Sequence, residues 1–294
     1  MTEAVVTASF GRYCQLQWPD GRVLIAHLKG KKSNAVCGDR VQAHESSTAP
    51  GEAVIDQIEA RRNSLLRQDD ARTKVFAANL DAVLFVVAAK PQFNDALLGR
   101  ALIACHVGGI AVTIGFNKTD LPEAAAGRER LQLYRALGYE VLEFSAKQPD
   151  SLQALREMLV GKTTLVLGGS GVGKSTLINT LMPHAQARTQ AISEALNSGK
   201  HTTTSTIAYA LPKGGMLMDS PGFQSFGLQH VSASQLADAF AEFRALHGHC
   251  KFYNCTHLHE PGCAVLADLS QGHIAQHRHT LYKQVFEELK ATVW

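Results

Sequence analysis

Apolar positions along this chain fall into three regimes. From residue 4 to about 60 they alternate with polar ones in short runs separated by turn residues, the period-2 pattern of half-buried strands. The stretch RYCQLQW, then Pro-Asp-Gly, then RVLIAHL predicts a hairpin. DRVQAH and GEAVIDQI follow as further strands. Five short strands without a long helix suit an OB-type barrel, and an SH3-like barrel would read much the same. The polar stretch RQDDARTK at 67–74 reads as a connection. Beyond it the apolar runs become continuous, as in AVLFVVAA at 82–89, IAVTIGF at 110–116, TTLVLG at 163–168 and MLMD at 216–219. These are strands of a buried sheet, and none is long enough to cross a bilayer. The last regime is helical: Leu236, Phe240 and Phe243, then Ile274, Leu281, Val285 and Leu289, recur at helical spacing. The expected division is 1–66, 67–227 and 228–294, a multidomain α/β chain.

Composition narrows the function classes. The chain of 294 residues is 45% apolar and 19% charged, values of a folded protein of more than one domain. Net charge is only +3, so contact with nucleic acid must come from local clusters. Lys29, Lys31 and Lys32 form one, and Arg61, Arg62 and Arg67 another. The start MTEAVV lacks the basic n-region of a secretory signal, so a cytoplasmic location is expected. Three cysteines are scattered, and Cys250, Cys255 and Cys263 crowd a histidine-rich stretch, a distribution suited to a thiolate metal site and not to a disulfide framework.

The first chemical signal is VLGGSGVGKSTLI at 166–178. Gly168, Gly169, Ser170, Gly171, Val172, Gly173, Lys174 and Ser175 match the phosphate-cradling Gly-x-x-x-x-Gly-Lys-Ser loop. Its backbone N–H groups turn toward phosphates, and a helix over about 174–181, with Thr176 in its first turn, adds its positive end. Lys174 is expected on the β- and γ-phosphates and Ser175 on Mg²⁺. Upstream, a strand ends in Asn117-Lys118-Thr119-Asp120. A carboxylate at Asp120 can accept from guanine N1–H and the exocyclic amine, whereas adenine would leave it unpaired. Ser145-Ala146-Lys147 ends another strand, with the Ala146 N–H placed for guanine O6. Downstream come GKHTTT at 199–204 and DSPG at 219–222, where Asp219 can hold Mg²⁺ through water and the Gly222 N–H can sense the γ-phosphate. The long polar segment before GKHTTT, from residue 182, lacks apolar periodicity and reads as a functional or disordered loop.

These elements resemble the motifs of translation-factor-class GTPases in rotated order, with the base-reading pair ahead of the phosphate loop. With GKHTTT, DSPG and CKFYNCTHLHEPGCAV, the chain is similar to the RsgA (YjeQ) family of circularly permuted GTPases over nearly its whole length. The resemblance implies an OB-fold RNA-binding domain, a permuted P-loop GTPase domain and a helical zinc-binding domain. It further implies a late assembly factor of the small ribosomal subunit that hydrolyses GTP to GDP, faster on the subunit, with rRNA as partner and a monomer off the ribosome. Family members often carry a basic extension ahead of the barrel. This chain starts almost at the first strand, so contacts from such an extension are expected to be absent.

Phe223 stands where Ras-like enzymes place a water-orienting glutamine. An imidazole can hydrogen-bond water near neutral pH, and the resemblance selects His201 for that task. One of Thr202, Thr203 and Thr204 is expected on Mg²⁺. In the cysteine cluster, spaced C-x4-C-x-H-x5-C, three thiolates and one imidazole make a tetrahedral zinc set. His249, His257 and His259 each offer the nitrogen, and the resemblance favours His257. A set without an open position is structural. Competing readings are a P-loop ATPase or kinase, which leaves NKTD and SAK without a purpose, and a nucleotide-regulated RNA-binding module with weak or no turnover, which leaves Lys174, Ser175 and Asp219 without one.

Overall fold

The structure, a computed structural model, describes residues 2–10, 13–28, 35–69, 72–183, 206–220, 226 and 228–291, without the side chains of 67–69, 72 and 73. Lys29, Lys31, Lys32, His201, Thr202, Thr203, Thr204, Gly222, Phe223 and the Arg67 side chain lie outside the described residues, as does most of the long polar segment.

The amino-terminal alternation folds as expected. Strands β1 (Thr2–Ser9), β2 (Tyr13–Gln17), β3 (Val23–Leu28), β4 (Arg40–Glu45) and β5 (Glu52–Ile58) run in the order β1-β2-β3-β5-β4. Pairing of β4 back onto β1 closes a five-strand barrel of OB type. Its core collects the inward half of each alternation, including Val6, Leu16, Ala26, Val41 and Ile55. Trp18 caps one end and donates its indole N–H to Thr2 Oγ1 at 3.0 Å. The stretch at 67–74, expected as a connection, instead contributes to two paired strands: β6 (Ser64–Asp69) pairs antiparallel with β7 (Arg72–Ala78). Polar composition concealed them, because a two-stranded ribbon has little to bury.

The second sheet contains β8 (Ala82–Ala88), β9 (Ala111–Asn117), β10 (Glu140–Glu143), β11 (Thr163–Gly168), β12 (Ile207–Ala210) and β13 (Met216–Asp219), in the order β10-β9-β8-β11-β13-β12. Its strands pair in parallel except at β12. Helices α1 (Asp95–Val107), α2 (Ala124–Ala136), α3 (Gln153–Leu159) and α4 (Lys174–Leu181) cover both faces. Strand β8 shows why its apolar run is unbroken: Val83, Phe85 and Val87 enter one core, Leu84, Val86 and Ala88 the other. Barrel and sheet are not separate, since Ala8 of β1 pairs antiparallel with Ile207 of β12 and the ladder runs through eleven strands.

The carboxy-terminal region holds α5 (Ala233–Asp238), α6 (Ala241–Arg244), α7 (Ala264–Ser270) and α8 (Gln276–Ala291). The helical stripe through Leu236, Phe240 and Phe243 is two short helices, because Phe240 is extended (φ −93°, ψ 110°). Arg244 satisfies the interrupted end by donating to the Asp238 carbonyl at 2.7 Å. Phe240, Phe243 and Tyr282 pack ring against ring at 4.9–5.4 Å. Helix α8 lies against α1 at Gly99, where an added Cβ would stand 2.1 Å from Leu281 Cδ2. Nearby, buried Arg278 pairs with Glu242 at 2.7 Å and covers the Phe240 ring. Among the described residues no helix is long and apolar enough to cross a membrane.

Candidate functional site: a nucleotide cleft and a cysteine–histidine cluster

The motif residues converge at the carboxyl ends of β9, β10, β11 and β13, where parallel sheets bind ligands. They line a cleft of about 890 Å³ that includes Asn117, Lys118, Asp120, Ser145, Ala146 and Lys147 from the base-reading half. Gly168, Gly169, Ser170, Gly171, Gly173, Lys174, Ser175, Thr176 and Asp219 line the other half. Val172 is the exception: its side chain is buried in the core, and its carbonyl serves the site instead. Leu97 on α1 and Leu121 after Asp120 add apolar walls that sequence reasoning missed. Leu121 directly follows the NKTD motif, whereas Leu97 carried no motif signal.

Local backbone explains the loop glycines. Gly168 has φ +145°, and a Cβ there would stand 2.2 Å from the Val86 carbonyl oxygen. Gly173 has φ +97°, with a Cβ only 2.4 Å from Asn117 Nδ2. The turn thus presses against β8 on one side and Asn117 on the other. Asn117, 1% exposed, donates to the Val172 carbonyl at 2.8 Å and accepts from Lys118 N–H at 2.7 Å and Ala146 N–H at 2.9 Å. Ala146 N–H, expected to be free for a guanine oxygen, is therefore already bonded; a base would have to share or replace Asn117 there. Lys118 (φ +62°) donates to the Lys90 and Gly171 carbonyls at 2.6 and 2.7 Å. Thr180 of α4 donates to the Ala146 carbonyl at 2.8 Å, and Ser151 braces the Ser145 N–H and carbonyl.

Electrostatics divide the cleft. Asp120 is exposed, and a hydrogen bond from Ser145, helped by the nearby Lys147 and Lys118 cations, holds its carboxyl below the usual range. It stands ionised and accepting. At the other end Lys174 and Asp219 are both partly dehydrated. Burial lowers the Lys174 ammonium and raises the Asp219 carboxyl, and their mutual attraction only partly offsets this. Lys174 Nζ meanwhile caps its own loop, donating to the Gly168 and Gly169 carbonyls at 2.7 Å each. A triphosphate and a divalent cation would supply these two groups with opposite charges.

The second cluster brings Cys250, Cys255, His257 and Cys263 together, their ligand atoms all within 4.8 Å. Cys250 Sγ is 3.6 Å from His257 Nδ1 and 3.9 Å from Cys263 Sγ, and His257 Nδ1 is 3.5 Å from Cys263 Sγ. A tetrahedron of zinc–sulfur bonds of about 2.3 Å has edges of roughly 3.8 Å, so the donor set fits zinc. His257, at φ +60°, turns inward because its carbonyl accepts from His279 and Thr256 O accepts from Tyr282 Oη. His249 and His259 are exposed and outside the cluster.

Of the arginines foreseen as an RNA-facing cluster, Arg61 and Arg62 have structural partners. Arg61 forks onto fully buried Asp39 at 2.7 and 2.8 Å, and Arg62 reaches Asp81 at 2.7 Å and the Asn79 carbonyl. They fasten the barrel to the β6–β7 pair and to β8.

A largely parallel sheet whose fourth strand in chain order carries a phosphate loop, with base-reading strands before it, defines a circularly permuted GTPase. Residues 58–229 match the family model described as RsgA GTPase, and the chain belongs to that family. It is 51% identical over 292 residues to the small ribosomal subunit biogenesis GTPase RsgA of Burkholderia pseudomallei strain K96243, covering 98% of this chain and 92% of the relative. The protein of that name from Paraburkholderia xenovorans LB400 is 48% identical over 298 residues, covering 98% and 94%. Among solved structures it resembles YjeQ from Thermotoga maritima (27% identity, TM-score 0.75, 98% of each chain). It also resembles YloQ, a circularly permuted GTPase (26%, TM-score 0.72, covering 99% and 96%).

Proposed function

We propose that this chain hydrolyses GTP as an assembly factor of the small ribosomal subunit, with turnover stimulated by that subunit. The observation that carries the reading is the single cleft into which Asp120 and Lys174 both open although 54 positions separate them. Asp120 reads the guanine edge; Asn117, Lys118, Ser145, Ala146 and Lys147 shape its pocket. Gly168 to Thr176 cradle the phosphates, and Lys174 exchanges its two loop carbonyls for phosphate oxygens. Ser175 and Asp219 would hold Mg²⁺, which would supply positive charge to the phosphates during transfer. His201 orients the attacking water, one of Thr202, Thr203 and Thr204 completes the metal shell, and Gly222 senses the γ-phosphate. Cys250, Cys255, His257 and Cys263 hold one structural zinc ion. The units 1–66, 67–227 and 228–294 act as barrel, GTPase domain and zinc domain in a cytoplasmic monomer. The barrel and its basic loop contact rRNA.

The experiment is GTP turnover with and without purified small subunits over a salt series. Stimulation that weakens as salt rises is expected from phosphate-mediated docking. Turnover indifferent to subunits at every salt concentration would overturn the ribosomal reading and leave the GTPase one.

A further inference from the structure

Tyr253 is the most exposed large hydrophobic side chain among the described residues, at 103% of its reference area, and its neighbour Phe252 is 41% exposed. Aromatic rings are not left in water for stability, because each forfeits the burial that makes it useful in a core. Both lie in the four-residue loop 251–254, spanned by the clustered thiols Cys250 and Cys255. The loop's shape is held independently of those rings. Lys251 N–H donates to the Gly262 carbonyl at 3.0 Å, and Cys255 N–H donates to the Phe252 carbonyl at 3.3 Å. The Lys251 ammonium sits 5.6 Å from the Phe252 ring centre.

The surrounding charge has one sign. From Arg244 to His259 the chain has no Asp or Glu; its cations there are Arg244 and Lys251, and His257 belongs to the metal cluster. The next carboxylate, Glu260, is consumed by the N–H groups of Thr256, Leu258 and His259. A protein partner of acidic character would suit the cations and leave the protruding rings unexplained. A nucleic acid strand uses both, because phosphates meet the cations and an unstacked base meets a ring face.

We infer that the 251–254 loop is a stacking platform for an unpaired base of single-stranded RNA, with Tyr253 as the platform and Lys251 on the adjoining phosphate. It rests on the proposal that this chain works on the small ribosomal subunit, and it names a contact for the zinc-binding region.

The test uses the full chain and two fluorescein-labelled probes, a single-stranded 12-mer of adenosine RNA and the same strand paired with its complement. Anisotropy is read at about 200 mM salt, where phosphate attraction is weakened. The parent is expected to prefer the single strand. Tyr253→Ala should weaken that binding on the order of tenfold, and Tyr253→Phe should retain it. Zinc content and GDP affinity should match the parent in both variants. Equal binding by the parent and Tyr253→Ala would overturn the platform, as would equal loss in Tyr253→Phe and Tyr253→Ala. Loss of subunit binding in Tyr253→Ala with unchanged oligonucleotide binding would also overturn it, in favour of a protein contact. Absent subunit stimulation in the parent, with a Tyr253-dependent single-strand preference intact, would sink the ribosomal reading and leave the platform standing.

Discussion

The Asn117 side-chain amide donates to the Val172 carbonyl at 2.8 Å, joining positions 55 residues apart. Through this bond the base-reading half of the cleft sets the shape of the phosphate loop. Asn117 is buried and engages three backbone groups. Replacing it by Ala strands them, and each unsatisfied buried group costs about 1–3 kcal/mol. Asn117→Ala should lower unfolding free energy by about 3 kcal/mol or more and weaken both GDP and GTP binding, as read by denaturant titration and a fluorescent-nucleotide assay.

Asp120 is exposed and makes no contact that the fold needs beyond the hydrogen bond from Ser145. Asp120→Asn should therefore leave stability within about 0.5 kcal/mol while shifting preference from guanosine to xanthosine triphosphate. Competition binding with the two nucleotides checks it; an unchanged ratio would remove Asp120 from base recognition.

Asp219 gives a pH-dependent prediction. Burial raises its carboxyl above the ordinary value, so the folded chain holds that proton more tightly than the unfolded one. The resulting stability is present below the ordinary Asp value of about 3.9 and is lost as pH rises through the folded value. At neutral pH the ionised group is thus a burden on the nucleotide-free protein. Asp219→Asn should raise its melting temperature at pH 7, with the gain shrinking as pH approaches 4, and should abolish Mg²⁺-dependent turnover. Calorimetry across that pH range is the measurement.

Gly99 marks the contact between α1 and α8, and a Cβ there collides with Leu281. Gly99→Ala should cost about 1–3 kcal/mol by overpacking, although alanine is the better helix former. Leu281→Ala in the same chain should recover part of that cost, and a double-mutant cycle by chemical denaturation reads the coupling.

Chelation of zinc should expose the amides of 248–263 to hydrogen exchange, because the cysteine–histidine cluster is what draws that segment together. Protection in β8 and β11, which pair within the central sheet, should persist. Loss of protection throughout the sheet would mean that the cluster supports the whole fold.

The strands and their chemistry were readable where one pattern had one physical meaning. The unbroken run at 82–89 became β8, buried on both faces, and the phosphate loop opened a helix over the foreseen residues, Lys174–Leu181. Contacts that depend on distant partners were not readable. Nothing in the neighbourhood of Arg61 announces that Asp39 waits for it, and nothing near Ala146 announces that Asn117 takes its N–H. The stripe through Phe240 has sound helical spacing, yet aromatic packing against Tyr282 accompanies a break, so tertiary contacts overrode local preference.

The ladder joining barrel to sheet has a geometric consequence. Gln15, Ala8, Ile207, Asp219, Val166, Leu84, Thr113 and Glu140 are successive register partners in one transverse row. The carboxylate assigned to magnesium is therefore a rung midway along a beam anchored at one end in the barrel wall. Excising residues 1–66 would not release a self-contained enzyme. It would leave an open flank one strand away from that carboxylate, and the fragment would have to seal the flank before its catalytic geometry could be trusted.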